Sequence, residues 1–168
     1  MTDKKFAILT IAVALVVLVV AYILISGGDK STQEVKVASY QSTDQQKPQV
    51  KTENTVADLG QMKVSEQKSE DFKVENVGQK PLQLSNITSS CGCTVAQVVV
   101  DGQVSEEFGM HSKSSQVFEI APGEAVIVRV TYRPYVMPVS GPVDREVYVD
   151  TNDPISQKLI FKVTANVQ

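Results

Sequence analysis

The chain has 168 residues, a formal charge of -3 and 42% hydrophobic residues. That length holds one ordinary domain and leaves no room for a second full core. No basic cluster is longer than Lys4-Lys5, so nucleic acid, which needs a concentrated basic surface, is not expected as a partner.

Residues 1–5 read as a short cytoplasmic N-terminus. From Phe6 to Ile25 there are 20 residues, 19 of them hydrophobic and none charged. As a helix this stretch spans about 30 Å, the thickness of a hydrocarbon core. It is therefore expected to be a transmembrane helix over 6–26, a signal anchor with Tyr22 near its outer end. Lys4 and Lys5 precede it, and the positive-inside rule leaves the rest of the chain extracytoplasmic, on a single-pass cell-membrane protein. The rival is a cleaved signal peptide, cut near Ser26-Gly27-Gly28. Its apolar region is usually only about 7–15 residues.

Residues 27–55 are rich in Gln, Ser, Thr, Asp and Lys, with Pro48 near the end. Such a composition buries too little apolar surface to offset its ordering entropy. It reads as a disordered polar linker of about 30 Å root-mean-square span.

Residues 56–168 alternate with period two, the signature of strands with one face inward. Phe72 and Val74 alternate with Lys73 and Glu75. Val126, Val128, Val130 and Tyr132 alternate with Ile127, Arg129 and Thr131, and Val147 and Val149 with Tyr148 and Asp150. Turn signals separate these runs: Asn76 to Pro81, Asp101-Gly102, Ala121-Pro122-Gly123-Glu124 and Thr151-Asn152-Asp153-Pro154. An all-β, antiparallel β-sandwich of about seven strands is expected. A partly open barrel is the alternative. The only two cysteines are two residues apart, so no long-range disulfide staples the sheets.

Three short motifs then occur in order. They are Phe72-x-Val74-x-Asn76-x-Gly78-x-x-Pro81-Leu82, Ser90-Cys91-Gly92-Cys93-Thr94 and Pro122-Gly123-Glu124. Over roughly residues 58–168 this resembles the bacterial domain of unknown function 1573. The resemblance implies an immunoglobulin-like sandwich in an exported or membrane-anchored protein. It implies no established activity. Residues Gln103 to Ser115 look like an insertion in that pattern.

For Cys91 and Cys93 three readings stay open. Residues i and i+2 of a strand point to one face near the upper limit for a disulfide, and Gly92 lets the backbone tighten further. A bond formed there would be strained and easily reduced. Alternatively, two thiolates suit copper or zinc, with Met110 and His111 completing a metal site and Met137 a weaker candidate. The third reading is two small residues buried at a strand end. A nucleophilic Cys–His pair with His111 would need an orienting acid, and nothing in the spacing of Glu106 or Glu107 selects one.

Two other clusters qualify as candidates. Tyr132, Arg133, Tyr135 and Met137 are of the types enriched at interface hot spots, although Tyr132 also continues an inward-facing series. Asp150, Asn152 and Asp153 carry oxygens suited to calcium, or build a turn with Pro154. The expected function is a membrane-tethered binding or assembly module of the bacterial cell envelope, with an envelope protein as partner and no catalytic residue. The alternative is an extracytoplasmic copper-binding or thiol-redox protein using Cys91-Gly92-Cys93.

Overall fold

A computed structural model describes residues 13, 15–16, 36–112 and 115–168. The chain divides into two compact units, Met1–Glu34 and Val35–Gln168. In the first, Val13, Leu15 and Val16 are helical and exposed. The expected span at 6–26 otherwise lies outside the described residues. No helix among the described residues is long and apolar enough to cross a membrane.

The second unit is all-β. Its strands are β1 (Val50–Thr52), β2 (Val56–Met62), β3 (Lys68–Asn76), β4 (Leu82–Ser89), β5 (Thr94–Val100), β6 (Gln103–Val104), β7 (Phe118–Ile120), β8 (Ala125–Tyr132), β9 (Gly141–Thr151) and β10 (Lys158–Val167). A 3-10 turn, Pro134–Val136, lies between β8 and β9. Two five-stranded sheets form, in the orders β1-β3-β8-β5-β6 and β2-β10-β9-β4-β7. Both are antiparallel except for β2, which runs parallel to β10, so the antiparallel expectation is corrected at that one edge.

The period-two faces meet in the core. Val126, Val128, Val130 and Tyr132 of β8 point inward, against Val147, Val149, Phe161 and Val163 among the buried residues of the opposite sheet. Phe72 of β3 stacks on Phe161 of β10, with ring centroids 4.9 Å apart. The pair joins the two sheets through apolar contact, the role a long-range disulfide would otherwise share. Asp101 (φ 50) and Gly102 (φ 79) make the left-handed turn of the β5–β6 hairpin, as the Asp-Gly pair predicts.

Residues 27–35 of the segment expected to be linker lie outside the described residues, and the remainder needs correction. Ala38 N donates to Gln83 Oε1 at 2.7 Å, and β1 pairs with β3 from Val50↔Asn76 to Thr52↔Val74. Backbone bonds continue the contact, from Val77 N to Gln49 O at 2.8 Å and from Gln79 N to Lys47 O at 3.0 Å. Pro48 is buried. Gly78 makes this approach feasible: a Cβ there would sit 2.5 Å from Lys47 O and 2.7 Å from Pro48 C, and would also strike Gln49 N. Main-chain pairing, blind to side-chain polarity, outweighs the low hydrophobicity that makes 27–55 read as disordered.

The insertion-like segment also contributes to the core. Phe108 is 1% exposed, bridges to Ala96 of β5, and meets Phe118 of β7 edge-on at 5.8 Å. One aromatic in a polar stretch anchors the loop to both sheets.

Candidate functional site at the Cys-Gly-Cys turn

β4 and β5 belong to different sheets, and residues 90–93 carry the chain across the end of the sandwich between them. The crossing is a tight turn, with Thr94 N donating to Cys91 O at 3.3 Å. Ser89 Oγ donates to the same carbonyl at 2.8 Å, and Arg133 N donates to Cys93 O at 2.8 Å. Ser90 pairs with Glu146 of β9 in both directions, through its N–H to Glu146 O and through its Oγ accepting from Glu146 N. These bonds tie the turn to β4, to β9 and to the residue that follows β8.

This turn brings the Cα atoms of Cys91 and Cys93 to 5.2 Å, inside the disulfide range, and their sulfurs are bonded. The turn does not draw on glycine's conformational freedom: Gly92 is not in the left-handed region, and a Cβ there would meet nothing within 4 Å. The two sulfurs differ in access. Cys91 is partly exposed, Gly92 is exposed, and Cys93 is 1% exposed.

Two polar groups face the sulfurs. Thr94 Oγ1 lies 3.4 Å from Cys91 Sγ and 3.9 Å from Cys93 Sγ. A disulfide sulfur carries no proton, so the hydroxyl is the donor in either contact. Arg145 Nε donates to Cys93 Sγ at 3.2 Å. The same guanidinium lies over the Tyr132 ring, 5.3 Å from its centroid, and donates from Nη1 to Asp144 O at 2.7 Å. Among the described residues these are its partners, and none is an anion.

The metal reading fails on this geometry. Bonded sulfurs are not thiolates, and only the thiolate is a strong ligand. Met110 and His111 are exposed in the turn after Phe108, while the groups that reach the sulfurs are Thr94 and Arg145. No cluster of three or more His, Cys, Asp or Glu suited to a metal ion occurs among the described residues. Copper or zinc at Cys91, Cys93, Met110 and His111 is thus corrected to a disulfide flanked by an arginine.

The interface cluster is split. Tyr132 is 0% exposed and is core, because it ends the inward-facing series of β8; its hydroxyl has no hydrogen-bond partner among the described residues. Arg133 is half-buried and forms a two-bond ion pair with Glu107, one bond being Nη1 to Oε2 at 2.8 Å. Tyr135 and Met137 are exposed, with Val136 between them, and Tyr135 Oη donates to Gln67 Oε1 at 3.2 Å.

The acidic turn is structural. Asp153 accepts from Val50 N and Ile155 N, both at 2.9 Å, and Asn152 Oδ1 accepts from Gln83 N at 2.8 Å. Asn152 and Asp153 spend their oxygens on backbone donors, one of which anchors β1.

Arg145 is the residue that sequence reading misses. Its signal is present in the alternation: counting back from Val149 and Val147 by two places Arg145 on the inward face. A charge in an inward series marks a partner that strand periodicity cannot name.

Two carboxylates are held below their ordinary range. Asp71 is lowered by its hydrogen bonds from Arg129 Nε and Nη2, and Glu107 by those from Arg133. A depressed carboxylate contributes stability above its unfolded value, about 4, and loses it as pH falls through the folded value. Both pairs are substantially exposed, so solvent screens the effect. Urea denaturation should therefore show wild type weakening between pH 5 and the most acid conditions, with Asp71→Asn weakening less; equal slopes would refute the assignment.

Comparison with known proteins agrees with the motif reading. Residues 50–106 match the family model of the protein of unknown function DUF1573. The match begins at β1, eight residues before the sequence resemblance, and includes the Phe72 to Leu82 motif and the Cys-Gly-Cys turn. It stops short of the Pro-Gly-Glu turn. No curated protein sequence matches the chain. A solved protein of unknown function from Porphyromonas gingivalis W83 is similar at TM-score 0.54 and 24% identity, covering 72% of this chain and 47% of that one. This chain thus accounts for less than half of that protein's length. The PapD-like domain 7 of human CEP192 is similar at TM-score 0.49 and 15% identity, covering 80% of this chain and 95% of that one. The first of these likenesses shows the two-sheet fold and nothing about activity.

Proposed function

We propose that this chain is a membrane-tethered, extracytoplasmic, immunoglobulin-like module of the bacterial cell envelope that binds a protein partner through the β8–β9 connection. The observation that carries the reading is the run Tyr135-Val136-Met137, exposed by 47%, 48% and 50%, with Val139 at 36%. Four apolar side chains within five residues are held outward at one end of the sandwich. Single exposed hydrophobics need no explanation, but a contiguous group of aromatic, Met and aliphatic residues is the composition of a binding surface.

The connection is also held in shape. Met137 N bonds to Pro134 O and Val136 N to Arg133 O, both at 3.1 Å, while the Arg133–Glu107 pair ties it to the loop bearing Phe108. A preorganised loop loses less entropy on binding. The apolar segment 6–25 supports the tether, and a disulfide supports the compartment, because disulfides persist where the surroundings oxidise.

Site-specific photocrosslinking in intact cells tests this. A photoreactive residue at position 135 should give one discrete adduct, abolished by Met137→Asp, and the same probe at exposed Ile160 should give none. The absence of an adduct at 135, or an identical pattern at 160, would contradict the proposal. Protease added outside the cell should remove the domain; protection would contradict the topology.

A further inference from the structure

We propose that the Cys91–Cys93 disulfide is a thiol–disulfide exchange site for a protein dithiol, in which Cys91 is the sulfur attacked and Cys93 the sulfur that leaves. This rests on the turn and on the Arg145 guanidinium beside it, and it is independent of the exposed Tyr135–Val139 surface.

Access sets the polarity. Cys91 is partly exposed beside exposed Gly92, so its sulfur is the one that solvent-borne thiolates can meet. Cys93 is buried to 1% exposure. Exchange requires the attacking sulfur to reach one sulfur while the other departs as a thiolate, and only Cys91 offers that approach.

Arg145 supplies the reason Cys93 departs. Its Nε–H lies 3.2 Å from Cys93 Sγ. Against a neutral disulfide this is a weak contact, since sulfur is a poor acceptor. Once the S–S bond lengthens and charge gathers on Cys93, the same contact becomes a charge-assisted hydrogen bond. An interaction stronger in the transition state than before it accelerates the step. Thr94 Oγ1–H lies near both sulfurs and adds a second donor. Tyr132, under the guanidinium, is a positioning residue that holds Arg145 in the sandwich end.

The steps balance. One substrate thiolate attacks Cys91 Sγ, the Cys91–Cys93 bond breaks, and its electron pair passes to Cys93 Sγ beside Arg145. The second substrate thiolate attacks the substrate sulfur of the mixed disulfide, and that electron pair returns to Cys91 Sγ. The substrate dithiol loses two electrons and becomes a disulfide. Cys91 and Cys93 gain them as a dithiol, and the protons lost by the substrate thiols pass through water to the two sulfurs. A substrate disulfide meeting the reduced pair runs the same path in reverse.

The test uses the full chain in detergent micelles with glutathione as the probe, quenched by alkylation and read by intact mass and peptide mapping. Mixed with oxidised glutathione, Cys93→Ser should form a glutathione adduct on Cys91 at least about tenfold faster than Cys91→Ser forms one on Cys93. With reduced glutathione, Arg145→Gln should slow disulfide opening about tenfold, the worth of one charge-assisted hydrogen bond, and Arg145→Lys should restore most of the rate. Near-UV circular dichroism checks that each variant stays folded. The trapping pair leaves Arg145 in place, so it decides the polarity even where Arg145→Gln misfolds. Faster trapping at Cys93, an unchanged rate in Arg145→Gln, or opening only in denaturant would overturn the proposal.

Discussion

Phe161→Ala is expected to destabilise the sandwich by about 3–5 kcal/mol. Phe161 is 0% exposed and stacks on Phe72, 2% exposed, across the gap between the sheets. Truncation removes the ring from β10 and leaves Phe72 facing a void that two hydrogen-bonded sheets cannot collapse to fill. The loss is a large share of the roughly 5–15 kcal/mol available to a domain of this size. Guanidinium denaturation of the full chain checks it, and a change under about 1 kcal/mol would show that the pair does not join the sheets. Phe161→Leu keeps most of the apolar volume and should cost clearly less.

Asn76→Asp is expected to cost about 3 kcal/mol, although the two side chains have the same shape. Asn76 is 0% exposed. Its Nδ2 donates to Lys80 O at 2.8 Å and to Ile120 O at 2.9 Å, while Oδ1 accepts from Gly78 N at 2.9 Å. Its own backbone bonds the Ala121–Glu124 turn, through Asn76 N to Glu124 O and Gly123 N to Asn76 O. A carboxylate would set oxygen against two carbonyls and bury a charge with no cation. The isosteric change isolates hydrogen bonding from packing, and an effect within 0.5 kcal/mol of zero would remove the role assigned here.

Asn76 also explains why so much of the fold was legible. The Phe-x-Val-x-Asn-x-Gly-x-x-Pro-Leu stretch and the Pro-Gly-Glu turn meet at the backbone of this residue, so two of the motifs are the two halves of one hydrogen-bonded corner. Strand periodicity placed the inward faces of β3, β8, β9 and β10, and Asp101-Gly102 placed a hairpin, because these depend on local backbone preference. What escaped depends on the partner. β1 is polar and short, and it is held by pairing with β3, with Gly78 leaving room for residues 47–49 and Asp153 receiving Val50 N. The parallel pairing of β2 on β10 has no local signal either.

The candidate site was half legible. Cys91 and Cys93 were visible as a pair, and a disulfide was among their readings, but the choice between metal and disulfide needed the turn that brings their Cα atoms to 5.2 Å. Arg145 is 52 residues from Cys93 in sequence and reaches it only because β9 pairs with β4 at the sandwich end. Composition draws Tyr132 toward Arg133 and Tyr135 while alternation draws it inward, and the structure decides for the core.

The proposed exchange requires that the Cys91–Cys93 disulfide open and close while the domain stays folded. The most direct measurement is the mass of the purified full chain after alkylation, before and after exposure to reduced glutathione without denaturant. No alkyl groups are expected before reduction and two after it, with the near-UV spectrum preserved. Two alkyl groups before reduction, or none after it until denaturant is added, would contradict it.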